Sequence, residues 1–224
     1  MDIKNILLFI TTGANIGLAF LIYFHDRKNK INIFFSASLL LAALWSFGIA
    51  MFRASTDPLT MQLWFNSFYY LAAFISVIFY YFARSFPFEI TAISKTENII
   101  NVVLLAVLSG MIYFWGIATE IVYSKSFDHD VTFNFYVYIP YVLFFVYFVA
   151  KSFIDLSKKM TKAATYSKKL IKIVFFSTLV AFAAGTIFDL ILPFTTYRYI
   201  WAGPYFTMIT VFIIVKYVFI QKLD

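Results

Sequence analysis

Apolar residues run along this chain in blocks of about twenty, parted by short clusters of charged residues, glycine and proline. A hydrocarbon core of about 30 Å is crossed by about 20 helical residues. Seven segments have that length: Ile6–Phe24, Ile31–Phe52, Leu63–Phe86, Ile99–Ile117, Phe133–Phe153, Ile171–Phe194 and Trp201–Ile220. None alternates polar and apolar residues throughout, so each predicts a helix and not a barrel strand. The expected fold is all-α: a polytopic seven-transmembrane helix bundle forming a single domain over residues 1–224.

Proline and glycine punctuate the pattern. Asp57-Pro58 opens the third helix, Pro87 and Pro193 stop the third and sixth, and Gly203-Pro204 sits in the first turn of the seventh. Pro140, about two turns into the fifth span, is expected to kink it. Pro140, Pro193, Gly203 and Pro204 are therefore the candidate hinges. No sequence repeat relates the first and last three helices, and no pair of broken helices is visible, so an inverted-repeat transporter gains no support.

Composition sharpens the solvent argument. Of 224 residues, 62% are hydrophobic, 22% aromatic and only 13% charged, where a soluble domain carries about 25% charge. The first apolar block has no small-residue cleavage motif behind it and reads as a retained helix. There are no cysteines, which removes disulfides, thiol catalysis and thiolate metal sites.

The net charge of +7 would suit nucleic acid, but its distribution points to a membrane. Seven spans put the N-terminus and the 2–3, 4–5 and 6–7 loops on one side. That side holds four basic residues, Lys4, Arg53, Lys125 and Arg198, and the other side holds the remaining fourteen of the 18. The excess of lysine and arginine marks the cytoplasmic side. The expectation is a multi-pass protein of the cytoplasmic membrane, N-terminus outside and C-terminus inside.

Ionisable groups at membrane depth are costly and are functional candidates. Asp189 lies one turn before Pro193. It is either a ligand or proton site in an outward-facing cavity, or a carboxylate reaching interface water and pairing with Arg198; the second is favoured. Lys216, in the seventh span, invites a retinal Schiff-base reading. It sits about a turn from the cytoplasmic end, and Met61 to Phe86 supplies no carboxylate counter-ion, so interfacial anchoring is favoured.

Asn15, Asn66 and Asn101 at depth are expected to act as hydrogen-bonding glue between helices. Gly13 and Gly17 form a small-xxx-small pattern suited to a close helix contact or a homodimer face. Asp128-His129-Asp130 could sense a cation or pH, but the bland reading, a solvated loop, is preferred. Between Ser157 and Lys172 stand six lysines, Lys158, Lys159, Lys162, Lys168, Lys169 and Lys172, and no acid. They read as a cytoplasmic basic surface on helix extensions, facing anionic lipid or an output partner. The run Phe133-Asn134-Phe135-Tyr136-Val137-Tyr138-Ile139-Pro140-Tyr141 is either a pocket wall or an interfacial aromatic belt.

No phosphate loop, GxSxG elbow, HExxH motif or intramembrane Ser/His pair occurs. No catalytic residue, metal site or cofactor is expected.

Three stretches, in their order and spacing, resemble the N-terminal seven-transmembrane sensor region of bacterial membrane histidine kinases. They are Ala42-Ala43-Leu44-Trp45-Ser46-Phe47-Gly48, then Trp64-Phe65-Asn66-Ser67-Phe68-Tyr69-Tyr70 running to Tyr81-Phe82-Ala83-Arg84-Ser85-Phe86-Pro87, then Leu190-Ile191-Leu192-Pro193 with Gly203-Pro204, closing at Gln221-Lys222-Leu223-Asp224. The resemblance implies a sensory input module that relays a small ligand or membrane stimulus through its last helix to a cytoplasmic signalling domain or kinase. The kinase's own motifs are not in this chain, so the output is expected from a continuation or a separate partner. A small transporter or channel-like protein is the alternative, and a retinal photoreceptor a third.

Overall fold

A computed structural model describes residues 2–90, 92–124, 129–197 and 199–220. Its helices are α1 (Ile3–His25), α2 (Lys30–Ala54), α3 (Pro58–Ser85), α4 (Lys95–Trp115), α5 (Phe135–Lys162), α6 (Thr165–Gly185) and α7 (Ala202–Ile214). Helix α6 continues as a π-helical segment, Thr186–Ile191, and a 3-10 turn, Leu192–Phe194, while α7 ends in a π-helical segment, Val215–Ile220. Among the described residues seven helices, so extended, are long and apolar enough to cross a membrane. The protein is a multi-pass helical bundle.

Local chemistry starts these helices where they start. Asp2, Asn29, Asp57 and Ser94 each stand in extended backbone just before a helix and accept a hydrogen bond from its first-turn amides. Pro58 follows Asp57 at the first helical position, where its missing N–H costs nothing. Helix α4 stops at Gly116, whose φ of +68° favours glycine. Helices α5 and α6 overrun their apolar spans, to Lys162 and from Thr165, so the lysine-rich stretch is mostly helical. Helix α5 runs unbroken through Pro140, its sixth residue.

The expected 4–5 loop is partly sheet. Strands β1 (Ala118–Val122) and β2 (Asp130–Phe133) pair antiparallel, Ala118 opposite Phe133 and Val122 opposite Asp130. The ladder closes the backbone polar groups of a segment that covers one end of the bundle. This end, shared with the N-terminus and the α2–α3 and α6–α7 connections, is called the hairpin end below. The other is the lysine-rich end.

In cross-section α1, α2, α3, α5, α6 and α7 form a closed ring of neighbours, with α4 outside it against α3 and α5. Lipid gives helices no hydrophobic reason to associate, so ring packing and polar ties carry that role. At the hairpin end Phe52, Phe65, Phe68, Tyr69, Phe133 and Tyr197 form a buried aromatic plug. Toward the lysine-rich end Phe35, Phe79, Phe82, Ile171 and Ile214 make a second core.

Polar ties hold each end. Buried Arg53 donates from Nε to Asn5 Oδ1 at 2.9 Å and meets Asp2 Oδ2 at 2.6 Å, joining α1 to α2. At the opposite end Arg84 Nη1 meets Asp155 Oδ2 at 2.9 Å and Lys151 Nζ meets Glu97 Oε1 at 2.7 Å, locking α3, α4 and α5.

Candidate functional site

Between α2, α3, α5, α6 and α7 lies a cavity of about 110 Å³. Phe35, Leu39, Ala42 and Trp45 face it from α2, and Phe68, Tyr69, Ala72 and Phe79 from α3. Tyr141 and Phe145 come from α5, Phe182 and Gly185 from α6, and Thr207, Val211 and Ile214 from α7. Helices α1 and α4 contribute nothing. The lining is almost wholly apolar, and among the described residues Asp189 is its sole ionisable acid or base apart from the tyrosines.

The backbone around Asp189 is irregular, and the sequence explains why. Pro193 has no N–H to offer the carbonyl of Asp189 four residues earlier. The Tyr69 hydroxyl donates to that carbonyl at 3.3 Å, and the Tyr138 hydroxyl donates to Leu190 O at 2.8 Å. Tyr197 completes the cluster, its hydroxyl 3.2 Å from that of Tyr69. With Tyr69 donating to Asp189 O, Tyr197 is the donor between the two rings. Burial holds the Tyr197 hydroxyl well above its ordinary pKa, so it stays protonated.

The side chain of Asp189 is treated differently from its backbone. Both carboxylate oxygens are enclosed, and neither has a hydrogen-bond partner among the described residues. The serine and threonine hydroxyls that line the cavity are committed elsewhere: Ser38 to Phe34 O, Thr178 to Val174 O, Thr207 to Gly203 O and Thr210 to Ser177 O. Gly203 lets the carboxylate fit, for a Cβ there would lie 2.1 Å from Oδ2. A carboxylate so placed needs a proton or a cation to offset its charge.

Several expectations are corrected here. Asp189 does not reach interface water: its oxygens are closed in by α7 packing at Gly203. Its expected partner Arg198 lies outside the described residues. Lys159 does not belong to the basic surface. It is 1% exposed, and its Nζ donates to the carbonyls of Ala83, Arg84 and Phe86 at 2.9, 2.6 and 2.8 Å, capping the end of α3. Lys158, Lys162, Lys168, Lys169 and Lys172 are exposed. Lys216 is exposed beside the Tyr217 ring and does not line the cavity.

The glue asparagines divide. Asn66 Oδ1 accepts from the Ile117 amide at 3.1 Å, tying α3 to the turn after α4. Asn101 makes only a long contact, 3.5 Å, to the Tyr81 hydroxyl, and the Oδ1 atoms of Asn101 and Asn15 are enclosed without a partner among the described residues. The cross-helix ties come instead from Asn5, to Ala50 O, and Asn32, to Ile22 O. Gly13 and Gly17 meet nothing within 4 Å where a side chain would stand, so no close helix contact forms there within the chain.

His129 is not a solvated loop residue. It is 1% exposed, its Nδ1 accepts from the Ser124 amide at 3.2 Å, and its Nε2 stands 3.2 Å from Phe52 O. With Nδ1 accepting, Nε2 carries the proton and donates, pinning the hairpin to α2. Its sequence neighbour Asp128 lies outside the described residues, and no group of three metal-ligating side chains forms among those described.

The aromatic run at the start of α5 splits by helical face. Phe135, Tyr136 and Ile139 point outward, while Tyr138 and Tyr141 are buried and Tyr141 lines the cavity. The unforeseen polar residues are Glu97 and Asp155. Their signal in the sequence is opposite charge near the same ends of neighbouring spans as Arg84 and Lys151.

No family model matches this chain, and comparisons with curated proteins and with solved structures return no match.

Proposed function

We propose that this chain is a membrane-embedded sensory input module, in which a small ligand or membrane stimulus acts on the interior cavity and the change is relayed through α7 to a cytoplasmic output. The observation that carries this reading is the placement of Asp189, the one carboxylate lining the cavity among the described residues, on the π-helical segment of α6. Such segments interrupt regular helices at functional sites, and here two carbonyls are held by tyrosines from α3 and α5. A change at the cavity therefore alters how α6 is held against α3 and α5. The resemblance to the sensor region of membrane histidine kinases, and the orientation with the lysine-rich end in the cytoplasm, belong to the same reading.

A receptor shifts its output only by its differential affinity for two packings. The test places spin labels at Lys172→Cys and Tyr217→Cys, on α6 and α7 at the lysine-rich end, and fills the cavity from within by Ala181→Phe. Helix shifts in such switches are about 1–2 Å, and a distance change of that size is expected. An unchanged distance distribution overturns the reading.

The irregular ends of α6 and α7, which the sequence did not reveal, favour a small transporter as the second reading. Uptake of small cations into liposomes carrying the pure protein would establish it.

A further inference from the structure

Resting on the sensory reading, we infer that the cavity binds a small neutral molecule with an apolar body and a ketone-like oxygen, which accepts a hydrogen bond from the Tyr141 hydroxyl. Most polar groups around the cavity are already used. The Asp189 carboxylate is enclosed and lies toward Gly203 and Gly185, so it offers an occupant nothing. The hydroxyls of Ser38, Thr178, Thr207 and Thr210 donate to helix carbonyls, and that of Tyr69 donates to Asp189 O.

Tyr141 differs from all of these. It is 1% exposed, and its ring packs against Tyr69, Tyr138 and Phe145. Its hydroxyl is neither hydrogen-bonded nor sealed off among the described residues, so the little of Tyr141 that stays accessible includes that hydroxyl. The cavity that Tyr141 lines is where it opens. The indole N–H of Trp45, in the α2 part of the lining, is also without a partner among the described residues. A phenol carries one proton to give and an indole N–H can only donate, so the unused capacity of this lining calls for an acceptor.

The rest of the lining sets the remaining chemistry. It is almost wholly apolar and offers no reachable counter-charge, so the occupant is neutral. A lone water is a poor match, because a buried water needs two to four polar partners. A cavity of about 150 Å³ holds benzene, so about 110 Å³ suits a molecule of roughly six non-hydrogen atoms.

Cyclopentanone and methylenecyclopentane test this, for they match in shape and differ in an exocyclic oxygen against a CH2 group. Each, isotope-labelled at the exocyclic double bond, is titrated by NMR into nanodiscs carrying the full chain, with empty nanodiscs as the blank. The two partition differently into lipid, so the comparison is the effect of Tyr141→Phe on each. Losing the hydroxyl should weaken the ketone about 2- to 10-fold, the range for a neutral hydrogen bond. The alkene should bind as before or more tightly. In the wild type the carbonyl resonance of bound ketone should lie downfield of its position in lipid, and this readout decides the matter where Tyr141→Phe fails to fold.

A ketone affinity untouched by Tyr141→Phe, equal weakening of both probes, an unshifted carbonyl resonance, or binding of the alkene alone overturns the inference, as does binding of neither. The spin-label distances still judge the sensory reading on their own, because they use a filled cavity and no ketone.

Discussion

Two buried polar side chains, Asp189 and Lys159, stand in opposite energetic positions. Lys159 meets three carbonyls at the end of α3, which would otherwise lack donors in an enclosed setting. Lys159→Met keeps the stem and removes the ammonium, and should lower stability by about 1–3 kcal/mol, read as a fall in the thermal midpoint of the detergent-purified protein. Asp189 has no such partners among the described residues, so Asp189→Leu should do the reverse and raise stability by about 1–3 kcal/mol. An unchanged midpoint there would mean that the carboxylate is compensated in the empty bundle. The sequence marked Asp189 as unusual because an acid inside an apolar block is visible at a glance. It could not mark Lys159, one of six lysines in a basic stretch, because nothing local distinguishes the one whose helical face turns to the end of α3.

At the scale of elements, caps and turns make separate predictions. Asp57 accepts from both the amide and the hydroxyl of Thr60, and these bonds hold its pKa below the ordinary 3.8. A depressed carboxylate stabilises above that ordinary value, and its contribution is lost as pH falls through the folded value. The first turn of α3 should therefore exchange amide hydrogens faster in acid than its neighbours, and Asp57→Asn should remove that pH dependence while keeping an acceptor at the cap. Gly116→Ala forces a side chain to φ +68° with its Cβ 2.9 Å from Gln62 Nε2, and should cost about 1–2 kcal/mol. All seven spans were legible because twenty-residue apolar blocks have few alternative structures in lipid. The hairpin was not, although Ala118–Val122 and Asp130–Phe133 hold Val, Ile and Thr, because runs of 5 and 4 residues carry too little periodicity. The π-helical segment was hidden for another reason: Pro193 announces a helix end, but the carbonyls released before it are held by tyrosines 120 and 52 residues away in sequence.

For the whole molecule, the division into a hairpin end and a lysine-rich end is a geometric fact, and which end faces the cytoplasm is a matter of experiment. The absence of cysteine makes that experiment clean. Thr119→Cys should react with an impermeant maleimide on intact cells and Lys162→Cys only after permeabilisation; the opposite pattern would reverse the proposed topology. The two ends also differ in how they seal the interior. Toward the hairpin end the aromatic plug and the tyrosine cluster lie between the cavity and the covering strands. On the flank between α5 and α6 the wall includes an edge-to-face pair of half-buried rings, Phe145 and Phe182, with centroids 5.8 Å apart. A molecule that passes between those rings arrives from the acyl chains and not from the aqueous phase. For a ligand of the proposed kind taking that route, the concentration that governs occupancy would be the one dissolved in the bilayer. Two compounds with equal intrinsic affinity would differ in apparent potency by the ratio of their oil–water partition coefficients. The same compound would look weaker as the lipid-to-protein ratio of the sample rises and dilutes it.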